Sequence, residues 1–140
     1  MSLEIAHRER EGVVLLDLKG RITIGTEASA FRAAFEQIAA QPGARLLLNM
    51  LEVDYVDSTG LGAMVMCSMH LKNSKGVAKL VNVNRRNIEL LVMTKIDAIF
   101  EVFDDETDAV NSFFPDRKVA HYDILDYIES QPHEDKTHQT

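Results

Sequence analysis

A strand-like run followed closely by a helix-like run constrains the fold more than any other feature of this chain. Residues 45–51, R-L-L-L-N-M-L, are mostly apolar, which is typical of a buried strand. After residue 60, apolar side chains recur at helical intervals, at Leu61, Met64, Val65, Met69 and Leu71. We therefore expect a strand, a short connection and a helix packed against the strand.

The connection contains a polar and glycine-rich motif. Its six residues, called the 57–62 motif below, are Asp57, Ser58, Thr59, Gly60, Leu61 and Gly62. The pattern places Ser58 at or beside the N-cap of the helix. A serine there would accept a hydrogen bond from a backbone N–H group that lacks a partner in the helix, so capping is the simplest interpretation of the motif.

The segments before this motif predict a hairpin and a helix. Residues 3–8 alternate apolar and polar side chains, Glu11-Gly12 supplies a turn, and residues 13–18 predict a second strand that ends at Gly20. A helix is expected from Thr26 to the Pro42-Gly43 pair. Its apolar stripe consists of Phe31, Ala34, Phe35 and Ile38.

The segments after the central helix, which we expect to end near Gly76, continue the alternation. Residues 77–83 predict a strand, Asn84 caps a short helix, and residues 99–103 alternate as a final strand before a helix that begins at residues 104–106. The order is β-β-α-β-α-β-α-β-α. Because alternating strands and helices require crossover connections, the predicted class is α/β, with helices packed on a mixed, mostly parallel sheet.

Composition narrows the range of functions. The 140 residues are 46% hydrophobic and 26% charged, as expected for one globular domain. No apolar run is long enough to enter a membrane and the first residues do not resemble a secretory signal, so we expect a soluble, cytoplasmic protein. The net charge of −7 argues against direct binding of nucleic acid and favours a basic or neutral protein partner.

The chain divides into a domain over residues 1–115 and an extension over residues 116–140. In the extension, Ile124, Leu125 and Ile128 have helical spacing, which predicts a short amphipathic helix. The residues from Pro132 onward are polar and predict a disordered tail. We expect the helix to dock on the domain. Binding of another subunit, including formation of a homodimer, stays open.

Catalytic, metal and cofactor sites are disfavoured by the positions of the reactive residues. Ser58 does not lie in a G-x-S-x-G sequence, and His70 would lie about 18 Å farther along the same helix, so the two cannot form a nucleophile and base pair. The glycines form no phosphate-binding loop, and we assign no cofactor, no metal and no enzymatic activity. Cys67 is the only cysteine, and its apolar neighbours predict a small buried side chain.

The sequence L-L-L-N-M-L-E-V-D-Y-V-D-S-T-G-L-G, from Leu46 to Gly62, resembles the signature of STAS domains, in particular of bacterial anti-sigma factor antagonists. The resemblance covers residues 3 to about 114, including Gly20 and the later T-K-I-D-A-I-F-E-V-F-D-D-E. One departure concerns residues 20–25, G-R-I-T-I-G, where many antagonists carry an acidic residue. This departure bears on contact with a kinase.

The resemblance implies a function without catalysis. Antagonists of this family bind an anti-sigma factor that is also a serine kinase, and so release a sigma factor. The kinase phosphorylates the serine after the aspartate, here Ser58, which breaks the complex, and a PP2C-type phosphatase restores it. The partner surface would be the 57–62 motif, and ATP would bind to the partner.

Several residues of the motif keep a second interpretation. Thr59 is either a second acceptor of phosphate or a residue that supports the first turn of the helix. Asp57 either orients the serine, contacts the kinase or caps the helix itself. Gly60 and Gly62 either let a partner approach closely or let the helix pack tightly on the sheet. For the whole chain, the alternative function is an accessory or scaffold subunit of a transporter or signalling complex that is not phosphorylated.

Overall fold

Five strands form one mixed sheet in the order β1-β2-β3-β4-β5 in the computed structural model, which describes residues 2–120 and Leu125. The strands are β1 (Leu3–Arg10), β2 (Val13–Ile22), β3 (Arg45–Val56), β4 (Val77–Val81) and β5 (Val102–Phe103). β1 and β2 pair as an antiparallel hairpin, and β2 to β5 are parallel to one another. The sheet is mixed and mostly parallel, as predicted.

Within the described residues, three α-helices and one 3-10 helix connect the strands, and a fourth α-helix follows β5. They are α1 (Thr26–Ala39), α2 (Ser58–Asn73), α3 (Arg85–Met93), the 3-10 helix (Ile96–Ala98) and α4 (Glu106–Asn111). The predicted order of strands and α-helices is confirmed. Among the described residues, no helix has both the length and the apolar character that crossing a membrane would require.

The two faces of the sheet are covered unequally. The larger hydrophobic cluster lies where α1, α2 and α3 pack on one face, and it includes Phe31, Phe35, Leu48, Met64 and Ile88. The smaller cluster lies on the other face, where α4 packs on Val13, Leu15, Leu47, Val81 and Phe103. The 57–62 motif lies at the carboxyl end of β3, where this strand leads into α2.

The prediction that β2 ends at Gly20 is wrong. The strand continues to Ile22 and pairs with β3 up to Val56. Gly20 has a φ of +118°, and a Cβ there would overlap the carbonyl oxygen of Ser2. Glycine permits this backbone conformation and close contact, and the register shifts between Gly20 and Arg21 while the strand continues.

Other predicted boundaries and one predicted core residue also differ. β5 contains only Val102 and Phe103, because the N–H groups of Ile99 and Phe100 bond back to the Ile96 carbonyl at the end of the 3-10 helix. β4 ends at Val81, because Asn82 adopts a φ of +63°. Met69 was predicted on the apolar stripe of α2 but is 55% exposed. The predicted helix and tail beyond residue 115 lie outside the described residues, apart from residues 116–120 and Leu125.

Candidate functional site at the start of the central helix

Asp57 caps α2. Its Oδ1 accepts a hydrogen bond from the backbone N–H of Gly60 at 2.8 Å, and its Oδ2 accepts one from the backbone N–H of Ile24 at 3.0 Å. These donors, Gly60 first, hold the pKa of Asp57 below its ordinary value, because they stabilise the ionised carboxylate. Of the three interpretations considered for this residue, capping is the one that the geometry supports directly.

Ser58 is the first residue of α2 and is exposed to solvent. Asp57 occupies the capping position, and the Ser58 hydroxyl has no hydrogen-bond partner among the described residues. Thr59, the next residue, is also exposed. The fold therefore makes no visible use of the Ser58 hydroxyl, which is open to approach by another molecule.

The two glycines of the motif differ in their surroundings. Gly60 is buried, and a Cβ there would overlap the carbonyl oxygen of Ile22 and lie 3.0 Å from Cγ1 of Val56. Glycine at this position lets α2 pack against β2 and β3. Gly62 is exposed, and a Cβ there would meet no atom within 4 Å. Leu61, between them, is buried in the larger core.

The motif thus contributes three exposed residues, Ser58, Thr59 and Gly62, while Asp57 is half-buried. Ile24 extends this surface: its backbone binds Asp57, and its side chain is 72% exposed. Sequence patterns did not identify Ile24, because its proximity to Asp57 arises from the parallel pairing of β2 and β3. The sequence signal that could have identified Ile24 is a large apolar residue in a segment flanked by Gly20 and Gly25.

Charged side chains of both signs lie on the strands and helices that lead to the motif, and Arg32 on α1 is the cation that shares a groove with Thr59 and Gly62. Asp54 is exposed near the end of β3, one residue before Tyr55, whose ring lies 5.5 Å from the guanidinium carbon of Arg21. Asp17 lies on β2 and binds Arg8 and Asn49. Within the described part of the chain, no three His, Cys, Asp or Glu side chains are grouped as metal ligands would be.

His70 and Cys67, both on α2, are engaged in packing. The ring of His70 lies edge-on to Phe35, with 5.6 Å between ring centroids. Cys67 is fully buried, and burial raises its pKa to about 12. The prediction of a buried cysteine is confirmed.

Comparison with a library of protein families agrees with the fold and with the position of the motif. The model for the STAS domain matches residues 4–109, which is most of the chain. This chain belongs to the STAS domain family. The matched region contains the 57–62 motif, β2 to β5 and all of β1 except Leu3.

Characterised relatives of this STAS protein are anti-sigma factor antagonists by name. The anti-sigma-B factor antagonist of Bacillus subtilis is 29% identical over 102 residues, which are 73% of this chain and 92% of that protein. The anti-sigma-F factor antagonist RsfB of Mycobacterium tuberculosis is 28% identical over 118 residues, 83% of this chain and 96% of the relative.

Solved structures share the STAS fold at low sequence identity. The Thermotoga maritima protein TM1081 has a TM-score of 0.72 and 23% identity, covering 78% of this chain and 93% of its own. Bacillus SpoIIAA, solved in its phosphorylated form, has a TM-score of 0.61 and 17% identity, with 78% and 98% covered. A sulfate transporter family protein from Wolinella succinogenes has a TM-score of 0.64 and 23% identity, with 74% and 86% covered.

Proposed function

We propose that this STAS protein is an anti-sigma factor antagonist and that phosphorylation of Ser58 switches off its binding to an anti-sigma factor. The names of the Bacillus and Mycobacterium relatives support the antagonist role. The observation that carries the switch is the Ser58 hydroxyl, which is exposed and without a hydrogen-bond partner among the described residues, at the start of α2. A protein of the same fold, SpoIIAA, has been solved in a phosphorylated form, which supports a phosphate on this fold.

The capping geometry explains how a phosphate there would act. A helix N-terminus favours an anion, but the carboxylate of Asp57 already accepts the Gly60 and Ile24 N–H groups. A phosphate on Ser58 would therefore remain largely at the surface. It would add about −1.5 to −2 charges beside Asp57 and Asp54.

The fold does not need to change for such a phosphate to disrupt a complex. A partner fitted to the neutral serine would meet a large negative charge and lose packing space. A penalty of about 3 kcal/mol weakens binding roughly a hundredfold, since each 1.4 kcal/mol is a factor of ten. One phosphate at an interface is sufficient for a switch of this size.

The proposal assigns catalysis to the partners. An anti-sigma factor serine kinase would bind ATP and transfer the phosphate, and a PP2C-type phosphatase would remove it. This chain would act as a non-enzymatic substrate and binding protein in the cytoplasm.

The decisive experiment incubates the protein with ATP and the candidate anti-sigma kinase from its own genome. Intact mass, peptide mapping and size-exclusion chromatography then measure phosphate and complex together. We expect one phosphate on Ser58 and loss of co-elution. Ser58→Ala should remain unphosphorylated and bind constitutively, and Ser58→Asp should fold but bind about a hundredfold more weakly.

Two controls make the result specific. Gln37→Glu adds a negative charge at an exposed position of α1 outside the motif and should bind normally. Thr59→Ala should still accept a phosphate. A phosphate that persists on Ser58→Ala would contradict the assignment of the acceptor, and an unfolded Ser58→Asp protein would contradict the surface position of the site.

A second candidate function follows from the similarity to the sulfate transporter family protein. In that case the chain would be an unphosphorylated accessory or scaffold subunit of a transporter or signalling complex. Absence of phosphate with every candidate kinase, together with co-purification with a transporter component, would favour this function over the switch.

A further inference from the structure

A surface groove separates α1 from α2 beside the 57–62 motif. Its volume is about 560 Å³. Ala28, Ser29 and Arg32 line it from α1, and Thr59, Gly62 and Met66 line it from α2. Because Thr59 and Gly62 belong to the motif, a molecule in contact with Ser58 lies next to this groove.

Gly62 is not explained by the packing of the described residues. It lies inside α2, where glycine destabilises a helix relative to alanine. Gly60 has a structural reason, because a Cβ would overlap the Ile22 carbonyl, but a Cβ on Gly62 would point into open space. Gly62 also lacks the positive φ that would require glycine. The visible effect of this glycine is to keep the wall of the groove open.

We propose that a protruding apolar side chain of the protein partner enters this groove and packs against Gly62. This inference rests on the proposed antagonist function and assigns the groove to the anti-sigma factor. Five of the eight lining residues, Gly25, Ala28, Gly62, Ala63 and Met66, carry no polar side-chain group, which suits an apolar side chain, and Ser29, Arg32 and Thr59 supply the polar part of the lining.

Arg32 adds a charge requirement at the rim. Its guanidinium lies 3.7 Å from the carboxylate of Glu36, and both side chains are nearly half exposed. Such surface pairs are weak and exchange readily. Arg32 could therefore exchange Glu36 for a carboxylate that lies beside the apolar side chain of the partner.

Variants at the two glycines and in the groove test this inference with the kinase that phosphorylates the wild-type protein. We expect Gly62→Ala to raise the urea midpoint of unfolding, because alanine favours the helix, yet to weaken kinase binding several-fold. Gly62→Leu and Ser29→Leu fill the groove from opposite sides and should weaken binding at least tenfold. Calorimetry or surface plasmon resonance measures the affinities, and urea titration measures the stabilities.

Matched variants separate the groove from general effects. Ala30→Leu places the same side chain on an exposed position of α1 that does not line the groove, and it should bind like the wild type. Gly60→Ala should lower the urea midpoint, in contrast to Gly62→Ala. A lowered midpoint for Gly62→Ala would mean that Gly62 is needed by the fold, and this would overturn the argument.

The results distinguish failure of the groove from failure of the proposed function. If wild-type protein binds, Ser58→Asp does not, and both leucine variants bind like wild type, the groove is not part of the interface. If wild-type protein binds no anti-sigma kinase, the antagonist function itself is wrong and the groove assignment falls with it.

Discussion

At Asp57, one carboxylate performs two structural tasks. Oδ1 satisfies the Gly60 N–H at the start of α2, and Oδ2 ties this helix to Ile24, which precedes α1. The two contacts fix the start of α2, which carries the exposed Ser58 hydroxyl, to the segment that precedes α1. The residue that accepts the proposed phosphate and the residue that builds its position are therefore adjacent but different.

Replacement of Asp57 tests this division of roles. Asp57→Ala removes both acceptors and should lower the free energy of unfolding by about 1–2 kcal/mol. Asp57→Asn should lower it less, since asparagine also caps helices. Urea unfolding followed by circular dichroism measures both. Equal losses for the two variants would indicate that the negative charge, rather than the capping acceptor, is what stabilises the helix.

Among the elements, α4 is held to the rest of the domain by ion pairs as well as by apolar contacts. It has six residues and packs Ala109 and Val110 on the second face of the sheet. Glu106, at its start, binds Arg8 at 2.8 Å and Arg10 at 2.6 Å, and Arg8 also binds Asp17. Since a helix this short is not stable by itself, these ion pairs connect it to the hairpin of β1 and β2.

This ion-pair network predicts an acid-sensitive contact. Hydrogen bonds from Arg8, and next from Arg10, hold the pKa of Glu106 below its ordinary value of 4.5. Hydrogen bonds from Arg8, and next from Asn49, hold the pKa of Asp17 below its ordinary value of 3.8. Because these pKa values are lower in the folded state, the network stabilises the fold at pH values above the ordinary pKa values. This contribution is lost as the pH falls through the folded-state pKa values. We expect the urea midpoint of wild-type protein to fall from about pH 5 downward.

Glu106→Gln provides the matched comparison for this element. It cannot titrate at position 106, so its midpoint should start lower at pH 7 and fall less on acidification. Hydrogen exchange of the α4 amides should increase in the same variant at neutral pH. Parallel pH curves for the two proteins would contradict the role given to Glu106.

At the scale of the whole molecule, the two faces of the sheet are covered by different layers. Three helices cover one face with the larger core, and α2 in that layer carries the motif at its first turn. On the other face, α4 and residues 113 and 114 cover the smaller core. The exposed residues of the motif, Ser58, Thr59 and Gly62, can thus be changed without reaching the main core, whereas Gly60 and Leu61 are buried.

Cys67 reports on the integrity of the larger core. Its side chain is fully buried and its pKa is raised to about 12, so we expect Ellman's reagent to label it very slowly at pH 8. Labelling should become fast in concentrated urea. The rate in the native state should match that in Ser58→Asp. Faster labelling of Ser58→Asp would mean that charge at the motif opens α2, contrary to a surface switch.

The sequence by itself determined the order of elements, the mixed and mostly parallel sheet, the location of the motif between β3 and α2, and the burial of Cys67. Those features follow from local signals, namely hydrophobic periodicity and turn residues, which act over a few neighbouring residues. The continuous apolar run before the motif was enough to predict β3 as a buried strand.

Only the tertiary structure decided which acceptor caps α2, why Gly60 and Gly62 differ, that β2 continues through Gly20, and that Ile24 lies beside the motif. The capping contact from Gly60 to Asp57 is local, but the others depend on how segments far apart in the chain lie relative to one another, such as Ile22 with Gly60 and Ile24 with Asp57. Local patterns carry no information about the distance between such segments. The packing of β2 beside β3 sets that distance, and with it the surface around Ser58.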